Sequence, residues 1–463
     1  MANHTSPDLK YLFEPRSVAI VGASNDPFKS GGMFIDGMMK DKYEGIIYPI
    51  NRKESEIMGL KAYPSIAAIP GEIDLVVSAI PAQASIAAME DAVKKRAKFA
   101  VIHAVGFSEL GAEGRSLEKH MVQIAQSGGV RVVGPNCIGI FTSRGRVNTV
   151  VPYSRLPLDP GSVAFVGQSG WVAEMMLRLG SQRGLRLSGV ISIGNQSDLT
   201  IEDFLEFWGN DSTTQVIASY IEGLKDPRRF IEIARRVVPH KPVIVWKGGS
   251  SEMGAKAAAS HTGSLAGSYK VFQSMCQQTG ITDAYSMEDL LDLCVAFNCP
   301  VTPKGNEIAL LIEAGGGAVA SSDACARHGI KIPPFSITVQ QKLSDYLKDK
   351  VPPSNNRKNP VDLVWAPIGG AEKVNIDCLK MVLPEVNCCL VMTYAFMHDE
   401  WFRKNLKELR DQLQTPIFIV PANPPDQLFG LQLCAMDGIP TYVMPENAIR
   451  CLSAMIERTS FLK

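Results

Sequence analysis

The sequence predicts an α/β protein made of three doubly wound domains. Three observations carry this. Apolar runs of strand length alternate with helix-length stretches from Ser17 onward, the pattern of parallel sheets covered by helices. The layout strand, Gly-rich loop, helix, closing glycine occurs at 162–184 and again at 307–329, which indicates two related α/β domains in one chain. The length of 463 residues allows about three domains at roughly 150 residues each.

Composition narrows the function classes. Hydrophobic residues make up 46% and charged residues 20%, with a formal net charge of zero. Lysine and arginine are scattered, so nothing favours nucleic acid or a membrane surface as a partner. No apolar run reaches spanning length, and the N-terminal Met1–Lys10 lacks the apolar core of a signal peptide. The ten cysteines form no CxxC pair and cluster in apolar segments, as expected of reduced, buried thiols in a cytoplasmic protein. No cysteine and histidine spacing suits a metal, so no metal site is expected.

The first domain is read over 1–150. A buried strand is expected from Ser17 to Ser24, turning at Gly22, with a loop over 25–32 and an apolar helix from Met33. Further strands are expected at 45–50, 74–81, 99–103 and 131–133, with a helix at 84–96. The last strand runs into Gly134-Pro135-Asn136-Cys137-Ile138-Gly139. Ligands on such sheets sit at the carboxyl ends of the strands. Nicotinamide is the obvious ligand, and the residues argue against it. Gly-x-Gly-x-x-Gly spacing is absent around Gly22. The second strand ends in Asn51-Arg52-Lys53, where a dinucleotide site wants a carboxylate for the ribose hydroxyls. Basic residues there, with Lys29 in the first loop, suit a ligand carrying extra phosphate, such as NADP or coenzyme A.

The second domain is read over 151–300, after a Pro-rich connector at 151–160. Strands are expected at 162–166, 187–193, 215–220 and 242–246, and helices at 171–183, closed by Gly184, and at 229–238. Thr200-x-x-Asp203 reads as a capping box, and Ser286-x-x-Asp289 as the cap of a last apolar helix. Gly167-Gln168-Ser169-Gly170 forms a tight turn, and Ile221-Glu222-Gly223 ends the third strand. The fourth strand leads through Gly248-Gly249-Ser250 to Ala259-Ser260-His261-Thr262-Gly263-Ser264-Leu265-Ala266-Gly267-Ser268. There one histidine stands among small and hydroxyl-bearing residues, which leave room for a bulky charged group and offer it donors. That suits a histidine that is phosphorylated or handles a phosphate. Gly167–Gly170, Glu222 and His261 thus fall at carboxyl ends of strands in one domain.

The third domain is read over 301–463. A strand at 307–312 leads through Glu313-Ala314-Gly315-Gly316-Gly317 into a helix at 318–328, closed by Gly329. Later strands are expected at 388–394, 416–420 and 441–444, and Asn359-Pro360-Val361-Asp362 is expected in a loop. Each Gly-rich turn aims a helix N-terminus, with its partial positive charge, at whatever lies above it.

Taken together, these motifs resemble the α subunit of the ADP-forming (NDP-forming) acyl-CoA synthetases, relatives of succinyl-CoA synthetase. The resemblance covers nearly the whole chain. It is carried by Ser17–Ser24, Gly134–Gly139, Gly167–Gly170, Ile221–Gly223, Ser260–Gly267 and Asn359–Asp362. It implies a Rossmann-like CoA-binding domain and two flavodoxin-like ligase domains. It implies that His261 is the phosphohistidine and that Glu222 bonds its other ring nitrogen. Gly167, Gln168, Ser169 and Gly170, with Gly315, Gly316 and Gly317, would start two helices that stabilise the phosphate. Gly22, Ser24, Lys29, Asn51, Lys53, Ile80 and Pro81 would contact coenzyme A, and Asn136 and Cys137 would lie near the acyl thioester.

The implied reaction interconverts acyl-CoA, ADP and phosphate with carboxylic acid, CoA and ATP, through acyl phosphate and phosphohistidine. No nucleotide-binding ATP-grasp unit is found in the chain. The resemblance therefore implies a β subunit that supplies it and holds ADP or ATP with Mg, in an α2β2 heterotetramer. The rival readings are a non-catalytic CoA-binding or regulatory protein on this fold and an NADP-dependent oxidoreductase.

Overall fold

The first strand, Ser17–Val21, is buried along its whole length, and its alternate residues enter two different cores. Val18 and Ile20 meet Phe34, Ile35 and Met38 of the helix Ser30–Lys40. Ala19 and Val21 share a core with Met89 and Ala92 of helix Ala82–Lys94 and Met121 and Ala125 of helix Ala112–Ser127. Leu75, Val77, Phe99 and Val101 join the first core, and Val76, Ala100 and Ile102 the second. A period-2 split between two apolar layers is what a sheet covered on both faces requires.

The computed structural model describes residues 8–150, 157–256, 268–352, 356–364 and 370–463. The chain packs into two units, Met1–Ser181 with Arg186–Met287, and Gln182–Leu185 with Glu288–Lys463. The first unit holds two sheets. One is five-stranded and parallel, in the order Ile46–Ile50, Ser17–Val21, Leu75–Ser78, Phe99–Ile102, Arg131–Val133. The other has seven strands, in the order Thr282–Ala284, Val243–Lys247, Val216–Ile221, Val163–Gly167, Leu187–Ser192, Gly139–Thr142, Val147–Asn148. Its first five strands are parallel. Gly139–Thr142 and Val147–Asn148 form an antiparallel hairpin added to the edge beside Leu187–Ser192.

The second unit holds a four-stranded parallel sheet, in the order Val361–Asp362, Ile308–Ile312, Cys388–Thr393, Ile417–Pro421. Its core gathers Ala309, Leu311, Cys389, Val391, Ile417 and Ile419 with apolar faces of the surrounding helices. In each sheet the first of the parallel strands in chain order lies between the second and the third, so a topological switch point falls beside it.

Several expectations are corrected here. The first helix begins at Ser30 rather than Met33. Gly31 and Gly32 read as loop glycines, but a Cβ at either would strike backbone, at the Gly22 and Asp26 carbonyls respectively. They are helical glycines chosen for close approach. The expected strand at 441–444 reduces to one bridge, between Ile419 and Thr441, before helix Pro445–Phe461 starts. Val361–Asp362, expected in a loop, pairs in parallel with Leu311–Ile312. The hairpin at 139–148 falls within the stretch read as the first domain, yet it extends the second sheet. The capping box at Thr200 and Asp203 is present: the Thr200 backbone N–H donates to Asp203 Oδ2 at 2.9 Å.

The start of the first sheet is pinned by a buried carboxylate. Asp74 is 1% exposed and accepts from the Arg16 backbone N–H at 2.9 Å, from Arg16 Nε at 2.9 Å and from Lys98 Nζ at 2.8 Å. Burial alone would raise its pKa, but these donors override it and hold the carboxyl down at about 2. A group whose folded pKa lies below its unfolded value stabilises above the unfolded pKa and loses that effect as pH falls through the folded one. Asp74→Asn is therefore expected to cost about 2 kcal/mol at neutral pH and little near pH ~2, with the loss developing between roughly pH 4 and 2. Urea denaturation across that range checks it. A cost that does not change with pH would rule out the ionic origin.

Candidate active site

The switch point of the second sheet lies between Val163–Gly167 and Val216–Ile221. Gly167 ends its strand and Gly170 opens the helix Gly170–Gln182. A Cβ at Gly170 would lie 2.8 Å from Ile138 Cγ2, so glycine lets this helix start pack against the segment carrying Asn136 and Cys137. Gln168 ties the two strand ends together. Its Oε1 accepts from the backbone N–H groups of Glu222, at 2.6 Å, and Gly223, at 3.0 Å. Ser169 Oγ accepts from the Val172 N–H at 3.4 Å, inside the first helical turn.

Glu222 is 6% exposed. The Tyr220 hydroxyl hydrogen-bonds to it, and burial together with the Glu222 charge pushes the Tyr220 phenol up to about 12. Lys247, the last residue of strand Val243–Lys247, is also near: burial pushes its amine down and the Glu222 charge opposes this. A carboxylate held in this way is equipped to orient and stabilise a neighbouring cationic ring. His261 lies outside the described residues, as does the rest of 257–267.

The same device recurs in the second unit. Glu313 follows strand Ile308–Ile312 as Gln168 follows Gly167, and its Oε2 accepts from the Tyr394 N–H at 2.9 Å, just past Cys388–Thr393. Its Oε1 accepts from Thr393 Oγ1 at 2.7 Å and Asn375 Nδ2 at 2.5 Å. Burial raises the Glu313 pKa against these donors. Gly315 and Gly316 open the helix Gly315–Arg327 with nothing within 4 Å of where a Cβ would stand. Gly317 instead packs against Met392.

At the switch point of the first sheet, Gly22, Asn51, Lys53, Ile80 and Pro81 line a cleft of about 450 Å³, together with Arg52. Five of the seven residues expected to contact coenzyme A are thus brought together. Ser24 and Lys29 are not in the lining. Ser24 Oγ accepts from the Asp26 N–H at 3.0 Å, shaping the loop, and Lys29 precedes helix Ser30–Lys40 on the surface. Asn51 is a brace: Nδ2 donates to the Ala23 carbonyl at 2.8 Å and Oδ1 accepts from the Lys53 N–H at 2.8 Å. The cleft suits the nucleotide end of coenzyme A. It has an apolar wall from Ile50, Ile66, Ala84 and Ala88 and a basic edge at Arg52 and Lys53. Helix Ala82–Lys94 starts beside it with no side-chain cap on its amides.

Asn136 and Cys137 follow the last strand of the first sheet. Asn136 adopts a left-handed φ of 55° and donates from Nδ2 to Asn195 Oδ1 at 3.2 Å. Asn195 Nδ2 faces Glu109 Oε2 and Glu118 Oε2, each at 2.8 Å, so this loop of the second sheet is bound to the first. Cys137 Sγ lies 3.4 Å from the Ile102 carbonyl, and burial pushes the thiol up to about 12. It stays protonated at neutral pH and is not equipped as a nucleophile.

Two residues near these sites were not singled out from sequence. Asn195 reads as an ordinary polar loop residue, and Lys247 as a solvated charge at a strand end. Lys247 is instead only 6% exposed. With Gln168, Asn195 and Gly223 it lines a cavity of about 810 Å³.

Comparison with known proteins settles the family. Residues 160–297 match the succinyl-CoA ligase like flavodoxin domain, and residues 16–143 the CoA binding domain. The acetate–CoA ligase [ADP-forming] II subunit alpha of Pyrococcus furiosus is 35% identical over 459 residues, covering 97% of this chain and 98% of that protein. The chain belongs to the ADP-forming acetate–CoA ligase α subunits. It is thus a chain of an acid–thiol ligase. The acetate–CoA ligase [ADP-forming] I of Archaeoglobus fulgidus is 37% identical over 448 residues, and this chain covers 63% of that longer protein. Among solved structures, the dinucleotide forming acetyl-coenzyme A synthetase 1 of Ca. Korarchaeum cryptofilum, in complex with phosphate and ADP, superposes with a TM-score of 0.86. It is 32% identical, and the match covers 98% of both chains. Among the described residues no helix is long and apolar enough to cross a membrane.

Proposed function

We propose that this chain interconverts acyl-CoA and phosphate with acyl phosphate and CoA, and then passes the phosphoryl group through His261 to ADP. The observation that carries this reading is the Gln168–Glu222 arrangement. It sets a buried carboxylate beside the glycine turn that opens helix Gly170–Gln182, at the end of the strand pair next to the one leading to His261.

Phosphate attacks the thioester carbonyl and the CoA thiolate leaves. Neutral His261 then takes the phosphoryl group from acyl phosphate and releases the carboxylate. Glu222 accepts a hydrogen bond from the ring nitrogen that is not phosphorylated. Amides at Gly167–Gly170 stabilise the charge on the transferred group, and Gly315–Gly317 supplies a second helix start for it. Coenzyme A is held at Gly22, Asn51, Lys53, Ile80 and Pro81, with Ser24 and Lys29 on the adjoining loop. Asn136 and Cys137 stand near the thioester, with Cys137 as an uncharged wall.

The division into 1–150, 151–300 and 301–463 belongs to this proposal, as does the cytoplasmic location. So does an ATP-grasp β subunit that holds ADP or ATP with Mg, in an α2β2 assembly. Acetate and other short acids are the proposed substrates.

The test is to incubate the chain with acyl-CoA and labelled phosphate and assay for acid-labile, alkali-stable label on the protein. Label is expected. Its absence across a range of acyl-CoAs, with an ATP-grasp partner present, would leave a CoA-binding scaffold instead.

A further inference from the structure

Lys247 is a buried ammonium that makes no close ion pair among the described residues. It is 6% exposed. Its Nζ donates to the Gly248 carbonyl, one residue along the chain. Among the described residues no carboxylate lies within the 4.0 Å of an ion pair. Glu222 is near enough to favour the charged form but is not paired with it. Buried charges are costly unless paired, and an unpaired one marks a place where an opposite charge arrives. The residue also lines the cavity of about 810 Å³, alongside Gln168 and Gly223. Those two belong to the turn and strand end that frame the proposed phosphoryl transfer. The cavity walls beside it are apolar, from Leu224, Ile231, Phe272 and Met275. Arg115, Lys119 and Lys225, with Glu118, line the same cavity, which leaves it basic overall.

We propose that Lys247 is an anion-binding residue that holds the phosphoryl oxygens of the reacting group in this cavity. The inference rests on the acyl-phosphate chemistry proposed above. The shared chemistry is a phosphoryl dianion, which inorganic phosphate and acyl phosphate both present. Bound there, the anion gives Lys247 the close ion pair that no described carboxylate supplies. It also sits at the carboxyl ends of Val163–Gly167, Val216–Ile221 and Val243–Lys247, where an open α/β sheet takes its ligands.

The test is equilibrium titration of the full chain with inorganic phosphate and, separately, with acetyl phosphate, followed by 31P NMR line width. Lys247→Met is expected to weaken binding by about 10- to 100-fold, the scale of a lost charge-assisted bond, and Lys247→Arg to restore part of it. A loss confined to acetyl phosphate assigns the site to the acyl phosphate, and a loss for both assigns it to phosphate itself. Because the buried charge has no close ion pair among the described residues, Lys247→Met is also expected to leave the unfolding midpoint equal or higher. A structural lysine would lower it. Wild type that binds neither anion, or a Met variant that binds both as tightly, overturns the proposal. A parallel titration with coenzyme A keeps the two readings apart. Wild type that binds phosphate through Lys247 but not coenzyme A would sink the ligase reading alone.

Discussion

His261→Ala is expected to abolish the acid-labile, alkali-stable label, and Glu222→Gln to slow its formation by about 100-fold. The two effects differ because the two side chains do different work. Without the imidazole there is no acceptor for the phosphoryl group. Without the carboxylate the acceptor remains, but the charge that develops on the ring meets a neutral amide. Glutamine keeps the shape, and the Gln168 bonds reach the backbone of Glu222 rather than its side chain, so the strand end stays in place. Rapid-quench measurement of label against time separates the outcomes, with the unfolding midpoint as a control for folding. A Glu222→Gln chain that labels at the wild-type rate would remove Glu222 from the mechanism. Label that survives His261→Ala would place the phosphoryl group elsewhere.

Gly22→Ala is expected to weaken coenzyme A binding by at least ~10-fold and to destabilise the fold by about 1–3 kcal/mol. Gly22 has φ +86°, a conformation that side chains rarely adopt. A Cβ there would lie 2.8 Å from Ile80 Cγ2 and 3.0 Å from the Ala79 carbonyl. The methyl could yield on the Ile80 side, but the Ala79 backbone cannot move without shifting the strand that carries Ile80 and Pro81 into the cleft. The helix start is affected too, since Gly31 packs directly on the Gly22 carbonyl. Calorimetric titration with coenzyme A and urea denaturation check both parts. Unchanged affinity with lowered stability would mean that Gly22 serves the fold only.

The parallel strands and their glycine turns were legible because both depend on local chemistry. Runs such as Val163–Val166 and Ile308–Ile312 are apolar throughout, as strands buried on both faces must be. The turns at Gly22, Gly167–Gly170 and Gly315–Gly317 announce themselves by glycine spacing. What was not legible depends on partners distant in sequence. The hairpin at 139–148 was missed because Gly139–Thr142 is only four residues long. Its partner, Leu187–Ser192, lies far along the chain. The 441–444 run has the composition of a strand but bonds to Ile419 at one point only. Lys247 was missed for a related reason: a lysine ending a strand normally reaches water, and only packing shows that this one does not. Gln168 was expected as a phosphate contact from its place in the turn, yet its carbonyl oxygen is spent on two backbone amides. That leaves its side chain as the clasp between two loops.

The hairpin has a consequence for anyone who wants the CoA-binding segment as a separable module. Excision near residue 143 or 150 would carry Gly139–Thr142 away from Leu187–Ser192, leaving Ile140 and Phe141, 0% and 1% exposed in the whole chain, on an uncovered edge. Such an edge templates pairing with a second copy. A fragment spanning 8–150 is therefore expected to self-associate in light scattering, and one trimmed to end at 137 to do so less. If both fragments run as monomers, the strand is dispensable as a seal.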